Sequence, residues 1–139
     1  MKIGIITSQY WPHAGGIEKH IEQLTDGLTD RGHIVTVISA DAKSQLSDMT
    51  VHDEVLVRRL APVGPDSAFH FAPGIWSLIR RTSFDIIHVH NYHSLPFTIG
   101  GIGSKVPLVC TPHYHAESDD PFRNKMLKLY NPIGRKVLN

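Results

Sequence analysis

Two short β-branched runs, Lys2-Ile3-Gly4-Ile5-Ile6-Thr7-Ser8 and His33-Ile34-Val35-Thr36-Val37-Ile38-Ser39, flank one amphipathic segment, and few folds accept that order in so little chain. The segment between them opens at about Ile17 and carries Ile21, Leu24 and Leu28 on one face. Asp30-Arg31-Gly32-His33 then supplies a glycine stop. Strand, helix, glycine and strand make a βαβ unit, which requires a parallel sheet and a right-handed crossover.

The rest of the chain continues the alternation. Asp41 to Asp53 is polar and reads as irregular, and Glu54-Val55-Leu56-Val57-Arg58-Arg59-Leu60 alternates weakly, as a third strand at the sheet edge would. Ala61 to Phe71 holds two prolines and a glycine and reads as a loop. Pro73 suits the first turn of a short helix carrying Ile75, Trp76, Leu78 and Ile79. Phe84-Asp85-Ile86-Ile87-His88-Val89 is a fourth strand, and the small apolar residues Leu95 to Gly103 form a helix whose glycines fit close packing on a sheet. Pro107 to Thr111 is a fifth strand. From Phe122 onward Met126, Leu127, Tyr130, Ile133 and Val137 recur at helical spacing, and Pro132 is expected to kink or split that helix.

This order predicts an α/β chain with a doubly wound parallel sheet, whose ligands bind beyond the C-terminal ends of the strands. A length of 139 residues, 41% of them hydrophobic and 19% charged, bounds it to one globular domain at most. A net charge of +1 gives no electrostatic ground for a nucleic-acid partner. The single cysteine, Cys110, sits in an apolar run and reads as a small core residue; lacking a partner for a disulfide, it favours a reducing compartment. The N-terminal apolar run breaks too early for a signal sequence and no window is long enough to span a membrane, so the expected location is cytoplasmic.

Three loops carry the chemistry, and each follows a strand: residues 9–16, 88–94 and 112–119. Gly15-Gly16 removes two side chains at the start of the first helix, where N–H groups point outward and a phosphate can approach bare backbone. The same pair would also serve simply to let the chain turn. Neither G-x-x-x-x-G-K-[ST] nor G-x-G-x-x-G follows the first strand, which argues against a mononucleotide kinase or a nicotinamide dehydrogenase. Ten histidines are unusual for this length. His88, His90 and His93 with His113 and His115 would ligate zinc if the loops converge, but their spacing lacks the i, i+4 or cysteine-rich pattern of a dedicated site. His88 is more simply a strand-end residue bonded to backbone. His113 ends a buried strand at the glycine edge, where an imidazole can bond a sugar hydroxyl or move a proton, or else cap the next loop. Glu117, Asp119 and Asp120 read as an exposed acidic loop with a base as the alternative role. Arg123, Lys125, Lys128, Arg135 and Lys136 read as a solvated helix face, with contact to a membrane surface or a partner as the alternative.

Taken in order, the residues resemble the N-terminal domain of a family 4 retaining glycosyltransferase of two-domain GT-B architecture. The matching features are Pro12 with Gly15-Gly16-Ile17-Glu18, then Leu24, Leu28 and Arg31-Gly32-His33 with Val35 and Val37, then Asp85-Ile86-Ile87-His88-Val89-His90, and Pro107-Leu108-Val109 with Thr111 and His113. The resemblance implies a Rossmann-like first half that spans the whole chain, 1–139, stops short of its own last strands, and lacks the second domain that holds most of the nucleotide. It further implies transfer of a sugar from a nucleotide-diphosphate-sugar to a glycan, lipid or small-molecule acceptor, with the anomeric configuration retained and no metal or other cofactor. On that resemblance Gly15 and Gly16 lie against the donor diphosphate, His113 is the catalytic residue at the donor sugar, and Glu18, His90, Asn91 and His93 contact sugar or acceptor. The fragment alone is then expected to be inactive, and its location cytoplasmic with peripheral membrane contact as an option. Two other classes stay open: an isolated Rossmann-like ligand- or metal-binding module, and a GT-B-like nucleotide-sugar epimerase.

Overall fold

The computed structural model describes residues 1–41, 48–63, 71–113 and 121–138, without the side chains of 121–124, 126, 127 and 129. The elements are β1 (Lys2–Thr7), α1 (Gly16–Thr29), β2 (Ile34–Ser39), β3 (Met49–His52), β4 (Val55–Arg59), α2 (Gly74–Arg81), β5 (Ile86–His90), α3 (Leu95–Gly103), β6 (Leu108–Thr111) and α4 (Pro121–Leu138). They build a six-stranded sheet of order β3-β4-β2-β1-β5-β6. Every neighbouring pair is parallel except β3 with β4.

The two-residue period of the strands sorts their side chains onto two layers. Ile3, Ile5, Val35, Val37, Val55 and Val57 pack with Ile21 and Tyr10, under Ile17, Leu24 and Leu28 of α1. Ile6, Ile38, Ile87 and Val89 face the other way, into Ile75, Ile79 and Phe97 of α2 and α3 and Tyr130 of α4. Each such fully buried aliphatic side chain contributes about 1.5–3 kcal/mol. The helical glycines of α3 do what their sequence suggests: a Cβ at Gly100 would stand 2.6 Å from Ile6 Cδ1 and 2.9 Å from Val89 Cγ1, so a side chain there would wedge helix from sheet.

Three expectations need correction. Residues 49–52 are not irregular but form β3, so Val55–Arg59 is an interior strand and the edge lies outside it. A two-residue turn joins β3 to β4, with Asp53 at φ 46° and Glu54 at φ 65°. Helix α4 runs through Pro132 as one element, so of the kink or split expected there the split does not occur. His88 bonds a side chain rather than backbone, its Nε2 lying 2.7 Å from Thr111 Oγ1.

Candidate functional site

Parallel strands end on one side of the sheet, and there α1, the end of β5 and the residues just past β6 meet through histidine. On β5, His88 and His90 share a face with Ile86, the face covered by α1. His90 is fully buried. Its Nδ1 lies 3.1 Å from Nε2 of His113, just past the end of β6. His20, on the outer flank of α1, brings its ring within 5.1 Å of His113 and 5.7 Å of His90, centre to centre. Gly16 stands one turn before His20, about 6 Å along the helix axis. The glycine pair and His113 therefore occupy one edge, as a doubly wound sheet requires.

Burial, more than the neighbouring imidazoles, pulls the pKa of His88 down to about 4 and that of His90 down to about 2. Both are neutral at physiological pH and act as hydrogen-bonding groups or lone-pair donors, not cations. Asn91 and His113 hold left-handed backbone, φ 65° and 45°. Hydrogen bonds fix the first of these: Asn91 N–H donates to Thr111 O at 3.1 Å, and its carbonyl accepts from Ser94 N at 3.0 Å and Ser94 Oγ at 2.8 Å.

The glycine loop has its own framework. Gly15 is the N-cap of α1 and offers no side chain to the first turn. A Cβ on Gly16 would meet nothing within 4 Å, whereas the space beside Gly15 is taken by the Glu18 carboxylate. Tyr10, Trp11, His13, Gly15, Glu18 and Glu22 help line a cavity of about 500 Å³. Arg59, 3% exposed, ties this wall to the sheet. It donates from Nη2 to Trp11 O at 2.8 Å and from Nη1 to Thr50 Oγ1 at 2.7 Å. His13 Nε2 meets buried Asp41 at 2.8 Å, and His52 stacks on Trp11 at 4.1 Å. Arg59→Met should therefore cost about 2–4 kcal/mol, because two charge-assisted bonds vanish and Asp41 loses a nearby cation. Urea unfolding measures this, and a loss under 0.5 kcal/mol would show that Arg59 does not anchor the loop.

The structure thus brings together Gly15, Gly16, Glu18, His90 and His113. It sends His93 elsewhere: its ring neighbours are Tyr92 and Tyr130, on the α4 side of the sheet. His115, Glu117, Asp119 and Asp120 lie outside the described residues. His20, Trp11, Arg59 and Asp41 were not singled out from the sequence. Only the i+4 spacing of His20 from Gly16 could have signalled one of them.

A mostly parallel α/β sheet, with a bare helix N-terminus and imidazoles beyond its strand ends, is a Rossmann-like architecture. Residues 14–139 match the model of Glycosyltransferase Family 4, and the chain belongs to that family. It is 25% identical over 122 residues to a phosphatidyl-myo-inositol mannosyltransferase of Mycobacterium tuberculosis, covering 81% of this chain and 31% of that enzyme. Over 150 residues it is 25% identical to the alpha-monoglucosyldiacylglycerol synthase of Acholeplasma laidlawii, covering 99% of the chain and 36% of the enzyme. Over 92 residues it is 30% identical to the phosphatidylinositol N-acetylglucosaminyltransferase gpi3 subunit of Schizosaccharomyces pombe, covering 62% and 20%. The chain spans a third or so of the length of these relatives, or less. Among solved structures, the sucrose-phosphate synthase of Thermosynechococcus elongatus superposes with a TM-score of 0.63 at 16% identity, over 92% of this chain and 39% of the other, which shows the shared fold.

Proposed function

We propose that the chain forms the N-terminal, acceptor-side half of a retaining glycosyltransferase whose donor is a nucleotide-diphosphate-sugar, with a second, C-terminal domain holding most of the nucleotide. The observation that carries this reading is the shared edge of Gly15-Gly16 and the His90–His113 pair. There a diphosphate has room against the first N–H groups of α1, and an imidazole stands one helical turn further along. As the glycosidic bond breaks, the leaving diphosphate gains negative charge, which the oriented N–H groups and helix dipole stabilise. For the diphosphate to lie against Gly15, the Glu18 carboxylate must swing aside. It is then placed to accept a hydrogen bond from a hydroxyl of the sugar or acceptor. His113 serves the donor sugar, with buried His90 behind it, and Asn91 stands on the acceptor side.

The relatives are named for lipid acceptors, which favours a lipid here too, reached by peripheral contact through exposed Lys125, Lys128, Arg135 and Lys136 of α4. Among the described residues no helix is long and apolar enough to cross a membrane. The test is a screen of uridine and guanosine diphosphate sugars with the full-length protein and lipid acceptors, the product anomer being read by NMR. Retention of configuration is expected, and inversion would overturn the mechanism. In calorimetry residues 1–139 alone should bind these donors more weakly than about 100 μM, since half a cleft makes half the contacts but bears the full cost of immobilising the ligand.

A further inference from the structure

His20, His90 and His113 come from α1, β5 and the position two residues past β6, and their three candidate ligand nitrogens all lie within 4.8 Å of one another. Tetrahedral zinc with Zn–N bonds of about 2.0–2.1 Å sets its nitrogens about 3.3 Å apart. The His90–His113 pair, at 3.1 Å, is already near that spacing. His20 is exposed and its described contacts are the other two rings, so a rotamer change brings it the remaining distance of at most about 1.5 Å. His90 is 0% exposed, so a metal held here would take one ligand from the core and, through His20, one from the surface.

We propose that His20, His90 and His113 bind a borderline-soft divalent cation, zinc foremost, as three neutral imidazole ligands with the fourth position open on the solvent side at His20. The hydrogen shared between the His90 and His113 rings must then sit on the ring nitrogen away from the metal. On the transferase reading the reaction itself takes no metal, and the cation would compete with the donor sugar for His113. That zinc and donor sugar exclude one another therefore rests on the transferase reading, whereas metal binding does not.

The experiment is zinc titration of the untagged full-length protein by calorimetry, without nucleotide-sugar, paired with the visible spectrum of the cobalt form. One ion per chain at a Kd of about 10 μM or tighter is expected, with tetrahedral cobalt bands. His20→Ala should weaken binding at least tenfold without loss of folding, because the residue is exposed. His33→Ala, remote from the cluster, should leave binding within twofold. No binding at 100 μM zinc, or equal binding by His20→Ala, would overturn the site. Zinc bound as expected together with undiminished transfer would instead count against placing the donor sugar at His113, so the two readings fail separately.

Discussion

Gly16→Asp is expected to lower transfer by the full-length enzyme at least 100-fold while leaving its thermal unfolding within about 2 °C. The structure separates these effects unusually well. A Cβ at this position meets nothing within 4 Å, and its φ lies outside the left-handed region, so neither clash nor backbone strain follows. An acid in the first turn of a helix is mildly stabilising, by about 0.3–1 kcal/mol. On the proposed reading the same carboxylate would stand where the donor diphosphate needs bare N–H groups, adding bulk and like-charge repulsion. A 100-fold loss corresponds to about 2.7 kcal/mol of transition-state stabilisation. Gly16→Ala should lose less, because it adds bulk without charge. Steady-state kinetics beside a melting curve decides the matter, and wild-type turnover by Gly16→Asp would reduce the glycine to a turn-former.

What could be read from the chain depended on whether apolar periodicity and burial agreed. In β1, β2 and β5 they agree, and the βαβ unit with its strands at 2–7 and 34–39 is legible outright. In β3 they disagree. Met49 and Val51 face solvent, while the polar Thr50 and His52 turn inward to Arg59 and Trp11, so the usual alternation is inverted. The turn after it, Asp53-Glu54, also lacks the Asn or Gly that normally announces a two-residue hairpin. With β3 unseen, β4 had to be placed at the edge.

The candidate site divides in the same way. Gly15, Gly16 and His113 sit immediately after strands or at a helix start, positions that connectivity alone sends to one edge. His20 carries no such mark, being one exposed polar residue on an amphipathic helix; only the alternation along β5, which turns His90 towards α1, puts the two together. His93 shows the limit of counting along a loop. After the left-handed turn at Asn91 the chain reverses, and two residues are enough to carry the ring to the Tyr130 side.

His113→Asn is the second large effect, and Asn is chosen for a backbone reason. At φ 45° an alanine would add strain to the loss of the imidazole, whereas Asn tolerates left-handed backbone and keeps a hydrogen-bonding group. Folding should be nearly unchanged. If His113 acts on the donor sugar as the bond breaks, kcat should fall at least 100-fold with the donor Kd changed less than about threefold, since an interaction made mainly in the transition state leaves ground-state binding alone. A purely positioning role would show the reverse pattern, with weaker donor binding and kcat within a few-fold of wild type. Removing His90's described imidazole partner also separates two roles for His90. Were His90 needed only to orient His113, His90→Gln would add little to His113→Asn in the double variant; losses that multiply would show that His90 acts independently of His113.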